Sequence, residues 1–164
     1  MVAFTYRMPA GIPGDLTRQS VSTVEAQAFD ATLPFASYGI PGKISVNNKF
    51  APINTGDTAA AVYGFLVRPF PAQGPNASDP LGTSVPPTSG ICNVLRRGYV
   101  NVVVNAGAPV VGGPVYVRVA VPAGAKVIGG LEAVADGANT IVLTNAFFTG
   151  GADPSGNAEI GYNI

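Results

Sequence analysis

Two stretches, Tyr99-Val100-Asn101-Val102-Val103-Val104 and Val115-Tyr116-Val117-Arg118-Val119-Ala120-Val121, read in steps of two. In the first, Val100, Val102 and Val104 share one side and Tyr99, Asn101 and Val103 the other. In the second, valines at 115, 117, 119 and 121 alternate with Tyr116, Arg118 and Ala120. A period of two is the spacing of a strand with one buried face, and valine packs well on a pleated surface. The connection holds Asn105, Gly107, Pro109, Gly112, Gly113 and Pro114, so the two runs read as a long hairpin.

The same signal extends outward. Ala61 to Arg68 sets Tyr63, Phe65 and Val67 against Val62, Gly64 and Leu66, and stops at Pro69, which has no N–H for a ladder. Ile44–Val46 and Lys49–Ile53 flank Asn47-Asn48, a pair suited to a tight hairpin turn. Leu131–Ala135 and Thr140–Asn145 flank Asp136-Gly137-Ala138-Asn139, which reads as a third hairpin. At the C-terminus Ala158, Ile160, Tyr162 and Ile164 share a face, which predicts a closing strand that holds the last residue. Ser22-x-x-Glu25 imitates a helix capping box, but no 3.6-residue period comes after it, so a strand is expected over Val24 to Thr32. Seven or more short strands predict an all-β fold: a β-sandwich, jelly-roll or small barrel, with an extended N-terminal arm and long loops. The arm is placed at residues 1–20. A single β domain is placed at 21–164, with a Pro/Gly-rich loop at about 69–89.

Composition narrows the function. The chain has 164 residues, 47% of them apolar and 11% charged, with 21 glycines and 15 prolines. The apolar share is enough to build a core, so Gly and Pro punctuate a folded chain. Nine basic residues balance nine acidic ones, which disfavours nucleic acid or an anionic membrane as partner. No apolar run is long enough to span a membrane, and Met1 to Arg18 lacks the apolar core of a signal peptide, so synthesis in a cytoplasm is expected.

The chemistry of sites is sparse. There is no histidine, and Cys92 is the single cysteine, so a small buried hydrophobe is the expected identity of Cys92. Two carboxylates would suffice for a glycosidase. However, Asp57, Asp79, Asp136 and Asp153 stand in turn-like sequence, and only Glu25, Glu132 and Glu159 fall in expected strands. Asp153, Asn157 and Glu159 carry oxygens that suit Ca²⁺, but their spacing matches a Gly-rich turn better than an EF-hand loop. Arg96-Arg97 beside Tyr99 is expected to pair with carboxylates or water. No catalytic residue, metal ligand or cofactor is expected.

Several segments resemble the cement (decoration) proteins of tailed bacteriophages. They are Phe4-Thr5-Tyr6-Arg7-Met8-Pro9-Ala10-Gly11-Ile12-Pro13-Gly14-Asp15, Tyr38-Gly39-Ile40-Pro41-Gly42-Lys43 and Tyr63-Gly64-Phe65-Leu66-Val67-Arg68-Pro69. Arg96-Arg97-Gly98-Tyr99-Val100, Gly112-Gly113-Pro114-Val115-Tyr116-Val117-Arg118 and Ala158-Glu159-Ile160-Gly161-Tyr162-Asn163-Ile164 continue the likeness. The resemblance implies a non-enzymatic virion protein, made in the bacterial host cytoplasm. It would bind the outer surface of an HK97-type capsid, contact several major capsid proteins, and self-associate as a dimer or trimer. Phe4, Tyr6, Arg7 and Met8 of the arm are the candidate capsid contacts, because Phe4, Tyr6 and Met8 are large apolar groups on a segment broken by Pro and Gly, which suits interface anchors; packing on their own domain is the equal alternative. The alternative is a jelly-roll receptor- or carbohydrate-binding module of a phage tail or fibre. The absence of Trp counts against it.

Overall fold

A computed structural model describes residues 11–69 and 84–164 of the chain. Among the described residues nine strands form: β1 (Thr23–Ala28), β2 (Pro41–Ile44), β3 (Phe50–Pro52), β4 (Gly64–Val67), β5 (Ile91–Ala106), β6 (Pro114–Arg118), β7 (Leu131–Glu132), β8 (Thr140–Phe148) and β9 (Asn157–Tyr162). Helical structure among the described residues is limited to three short 3-10 turns.

β5 organises the molecule. Its first half pairs antiparallel with β1 on one side and β4 on the other, and β4 continues through β2 to β3. Its second half pairs with β7 and β9. Because β7 pairs β6, β6 pairs β8 and β8 pairs β9, the ring β5-β7-β6-β8-β9 closes into a five-stranded barrel. The fold is therefore an all-β small barrel with extra strands. The handover falls at Gly98, whose φ of +134° is open to glycine alone, and a Cβ there would strike Ser22.

Alternation assigns side chains to two cores. On β4, Phe65 and Val67 join the barrel cluster with Val100, Val102, Val115 and Val117, while Leu66 between them joins Phe29, Phe35, Tyr38 and Phe50. On β5, Leu95 faces the barrel, whereas Cys92 and Val94 face the aromatic cluster. β4 is thus buried on both faces, as the continuous apolar run Gly64-Phe65-Leu66-Val67 requires. Each fully buried valine in the barrel is worth about 1.5–3 kcal/mol.

Several expected pairings hold. β1 overlaps the strand expected over Val24 to Thr32 but starts at Thr23 and stops at Ala28, β4 lies inside the run that stops at Pro69, and β2 pairs β3 across a turn in which Asn48 takes φ +55°.

Others are corrected. The run at Tyr99–Val104 does not form a hairpin with Val115–Val121, because β7 lies between β5 and β6 and is parallel to β5. The apolar connection Gly107–Gly113 is long enough to let β6 stand one place away, and the two-residue β7 fills the gap with buried Leu131 and Glu132. The hairpin expected around Asp136-Gly137-Ala138-Asn139 is likewise absent. β8 pairs β6 instead, and Asp136 is held by Arg118. The strand expected to reach Val121 ends at Arg118, and Val121 takes φ +43°. β9 ends at Tyr162, leaving Ile164 exposed instead of inside the sheet.

Candidate functional site

Phe4, Tyr6, Arg7 and Met8 lie outside the described residues. Residues 14–18, just beyond them in the chain, are laced to both halves of the fold. The Gly14 N–H donates to the Asn101 carbonyl (2.8 Å), and the Gly14 carbonyl accepts from the Arg68 N–H (2.9 Å), so one residue ties the barrel to the end of β4. Asp15 and Thr17 continue along β5: the Asn101 N–H donates to the Asp15 carbonyl (3.0 Å), and the Thr17 N–H donates to the Tyr99 carbonyl (3.3 Å). Arg18 lies 3.9 Å above the Tyr99 ring and donates to Glu159 Oε2 at 2.8 Å. Thr17 Oγ1 and Thr149 Oγ1 donate to the same carboxylate. Burial pushes the Glu159 carboxyl up, but the hydrogen bonds from Thr149, Thr17 and Arg18 outweigh it and hold it below its ordinary value. At Asp15 burial wins over the Arg68 guanidinium and the Ile12 backbone, and the carboxyl is raised.

Several other charged residues are committed to structure. Arg118 and Glu132 are 1% and 0% exposed and meet at 2.5 Å from Nε to Oε1. Arg118 also donates from Nη2 to Asp136 Oδ2 (2.5 Å), and from Nη1 to the carbonyls of Ala120 and Val121 (3.2 and 2.9 Å). The bonds to Glu132 and Asp136 outweigh burial and hold Arg118 protonated. Asp30 is buried without a cation, and accepts from Ser45 Oγ (2.6 Å), Thr32 Oγ1 and N–H (2.7 and 3.1 Å) and Asn47 Nδ2 (3.1 Å). These donors hold its carboxyl well below the usual range. Glu25 accepts from Tyr63 Oη (2.6 Å), while Arg96 stacks 3.5 Å over the Tyr63 ring and stands 3.6 Å from Glu25, the carboxylate pairing expected of it. Asp153 closes its own turn, accepting from the N–H groups of Ser155 and Asn157. Cys92 is buried, and burial raises its thiol to about 11. Among the described residues no three His, Cys, Asp or Glu side chains gather as a metal site would require, and no helix is long and apolar enough to cross a membrane.

Several loops of the barrel show apolar side chains to solvent. The connection from Gly107 to Gly113 carries no polar side chain, with Val110 and Val111 exposed. Val121 and Val127 stand out from the loop between β6 and β7, and Val134 from the segment after β7. From Gly98 to the C-terminus the charged side chains are Arg118, Lys126, Glu132, Asp136, Asp153 and Glu159, and of these Arg118 and Glu132 are buried. Sequence reading missed this surface because alternating valines read as core. The signal was in the loops, where Val110, Val111 and Val127 stand between glycines outside any alternation.

Comparison with known proteins points to a capsid. The family model described as XM1 gp53 minor capsid protein matches residues 1–162. A chain in the solved structure "The capsid of Myoviridae Phage XM1" has the same fold, with a TM-score of 0.70 at 17% identity, over 98% of this chain and 95% of that chain. No curated protein matches.

Proposed function

Because the chain belongs to the XM1 gp53 minor capsid protein family, we propose that it binds the outside of an assembled HK97-type shell and reinforces contacts between major capsid proteins, without catalysing a reaction. Its role in the virion is structural. The observation that carries the finer reading is the barrel surface: exposed Val110, Val111, Val121 and Val127 in a region where two of the few charges are buried. A lattice binder present in many copies gains from avidity and from apolar contacts that salt does not screen. Phe4, Tyr6, Arg7 and Met8 then add anchors from an arm that precedes the tie at Gly14. The balanced charge, with Arg96 engaged by Glu25 and Tyr63, favours protein over nucleic acid as partner. The protein self-associates on the shell and is made in the host cytoplasm.

The test is co-sedimentation of the purified protein with assembled shells that lack it. Binding is expected, with only a modest change in affinity as salt rises from about 0.05 to 0.5 M. Failure to sediment with shells, with binding to glycans instead, would contradict the reading. A hundredfold loss with salt would move the contact to the arginines.

A further inference from the structure

The five strands β3-β2-β4-β5-β1 form a sheet with two edges of different character. β3 is 3 residues long, ends on Pro52, and is covered at Phe50 by a bridge to Phe29 and by the Asp30 N–H donating to the Phe50 carbonyl (3.0 Å). β1 is 6 residues long and pairs with β5, and among the described residues no strand pairs with its other side. Thr23, Val24, Ala26 and Ala28 are exposed, and Glu25 and Gln27 half-buried. Edges are ordinarily guarded by Lys, Pro, a bulge or a covering loop. The β1 sequence Thr-Val-Glu-Ala-Gln-Ala has no Lys or Pro, and its one register irregularity, between Thr23 and Val24, leaves Val24–Ala28 regular.

We propose that a second copy of this chain adds at this edge, β1 to β1 and antiparallel, so that the two sheets run on as one. The inference gives the self-association of the proposed virion role a surface, and rests on that reading only for its purpose. Face and charge fix the register. Opposed residues of an antiparallel pair share a face, so a two-fold axis must pass through a residue position. An axis at Glu25 sets two carboxylates against each other. One at Gln27 runs the ladder into Phe29, which is already bridged to Phe50. An axis at Ala26 sets Glu25 opposite Gln27 of the second copy, whose amide donates to it, and Val24 opposite Ala28 of the second copy. Val24 pairs with Leu95 and Ala28 with Ile91, so the row across four strands becomes Leu95, Val24, Ala28, Ile91, apolar throughout. Val24, 39% exposed, thereby gains Ala28 of the second copy beside it.

The test uses the full chain. Sedimentation velocity should show a dimer at micromolar concentration. Ala26→Lys, which sets two ammonium groups at the axis, should raise its dissociation constant at least about tenfold while leaving the circular dichroism spectrum unchanged. Ala26→Cys should give a disulfide-linked dimer on mild oxidation, whereas Val24→Cys, which faces Ala28, should not. A wild-type chain that stays monomeric overturns the proposal, and so does a dimer that A26K leaves intact or A26C fails to link. Shell co-sedimentation on the same samples separates the two readings. A dimer that does not bind shells keeps this inference and removes the proposed shell binding, and a monomer that binds them does the reverse.

Discussion

The barrel and the sheet beside it share β5, yet each is held by a different kind of core. The barrel is mainly aliphatic, with valines on β5 and β6 facing Leu131, Leu143 and Ile160, and its buried charge is an ion pair. The sheet packs rings from loops against strands: Phe35 stacks on Phe50 at 4.9 Å between centroids and meets Phe29 edge-on at 5.9 Å. Among its buried charges is a carboxylate, Asp30, held by neutral donors. Arg118 and Glu132 join neighbouring strands β6 and β7, whereas Asp30 pins a loop to the β2–β3 turn. A buried ion pair can thus hold two adjacent strands of a closed ring, while a carboxylate with hydroxyl and amide donors is enough to fix a turn.

The largest expected effect falls on the barrel. Removing one member of a buried ion pair costs about 3–5 kcal/mol, and without Glu132 the buried Arg118 keeps only the part-exposed Asp136 as counter-ion. Glu132→Ala should therefore lower the melting temperature by about 10 °C or more, at roughly 2–4 °C per kcal/mol for a chain of this size. The pair Arg118→Met with Glu132→Leu should recover most of that loss. If E132A melts with the wild type, the barrel does not depend on its ion pair and the contrast fails.

Next comes the hinge between the regions. Gly98→Ala forces a Cβ against Ser22 at a φ of +134°, and should destabilise by more than about 1 kcal/mol. One unfolding transition should persist if the halves melt together through β5. Two separated transitions would show that they are independent.

The smaller effect is on the sheet, and pH reveals it. The folded-state carboxyl of Asp30 is depressed, so its contribution is complete above the unfolded value of about 4 and is lost as pH falls toward the folded value. Asp30→Asn should melt lower than wild type at neutral pH. The gap should narrow steadily as pH is lowered below about 4. A gap independent of pH would mean that the Asp30 donors hold shape, not charge.

The sequence showed the strands better than their neighbours. Val100 and Val102 announced β5 by alternation, and Asn47-Asn48 announced the β2–β3 turn, because both signals are local. The order β5-β7-β6-β8 was hidden, because the turn-like Asp136-Gly137-Ala138-Asn139 pointed the Leu131 run at the next strand, whereas β7 stops at Glu132 and pairs β5 and β6, and Arg118 meets Glu132 14 residues away. Arg118 read as the polar face of a strand, yet that face is covered. At the candidate surface the composition pointed correctly to few charges, but the exposure of Val110 and Val111 depends on where their loop lies once the ring closes.

Reinforcement of the shell from outside can be read by heating assembled shells with and without saturating protein while following their disruption by light scattering. Decorated shells should come apart at a clearly higher temperature, and the gain should vanish when the protein is left out. Shells that bind the protein yet fall apart at the same temperature as bare ones would show that it decorates without reinforcing.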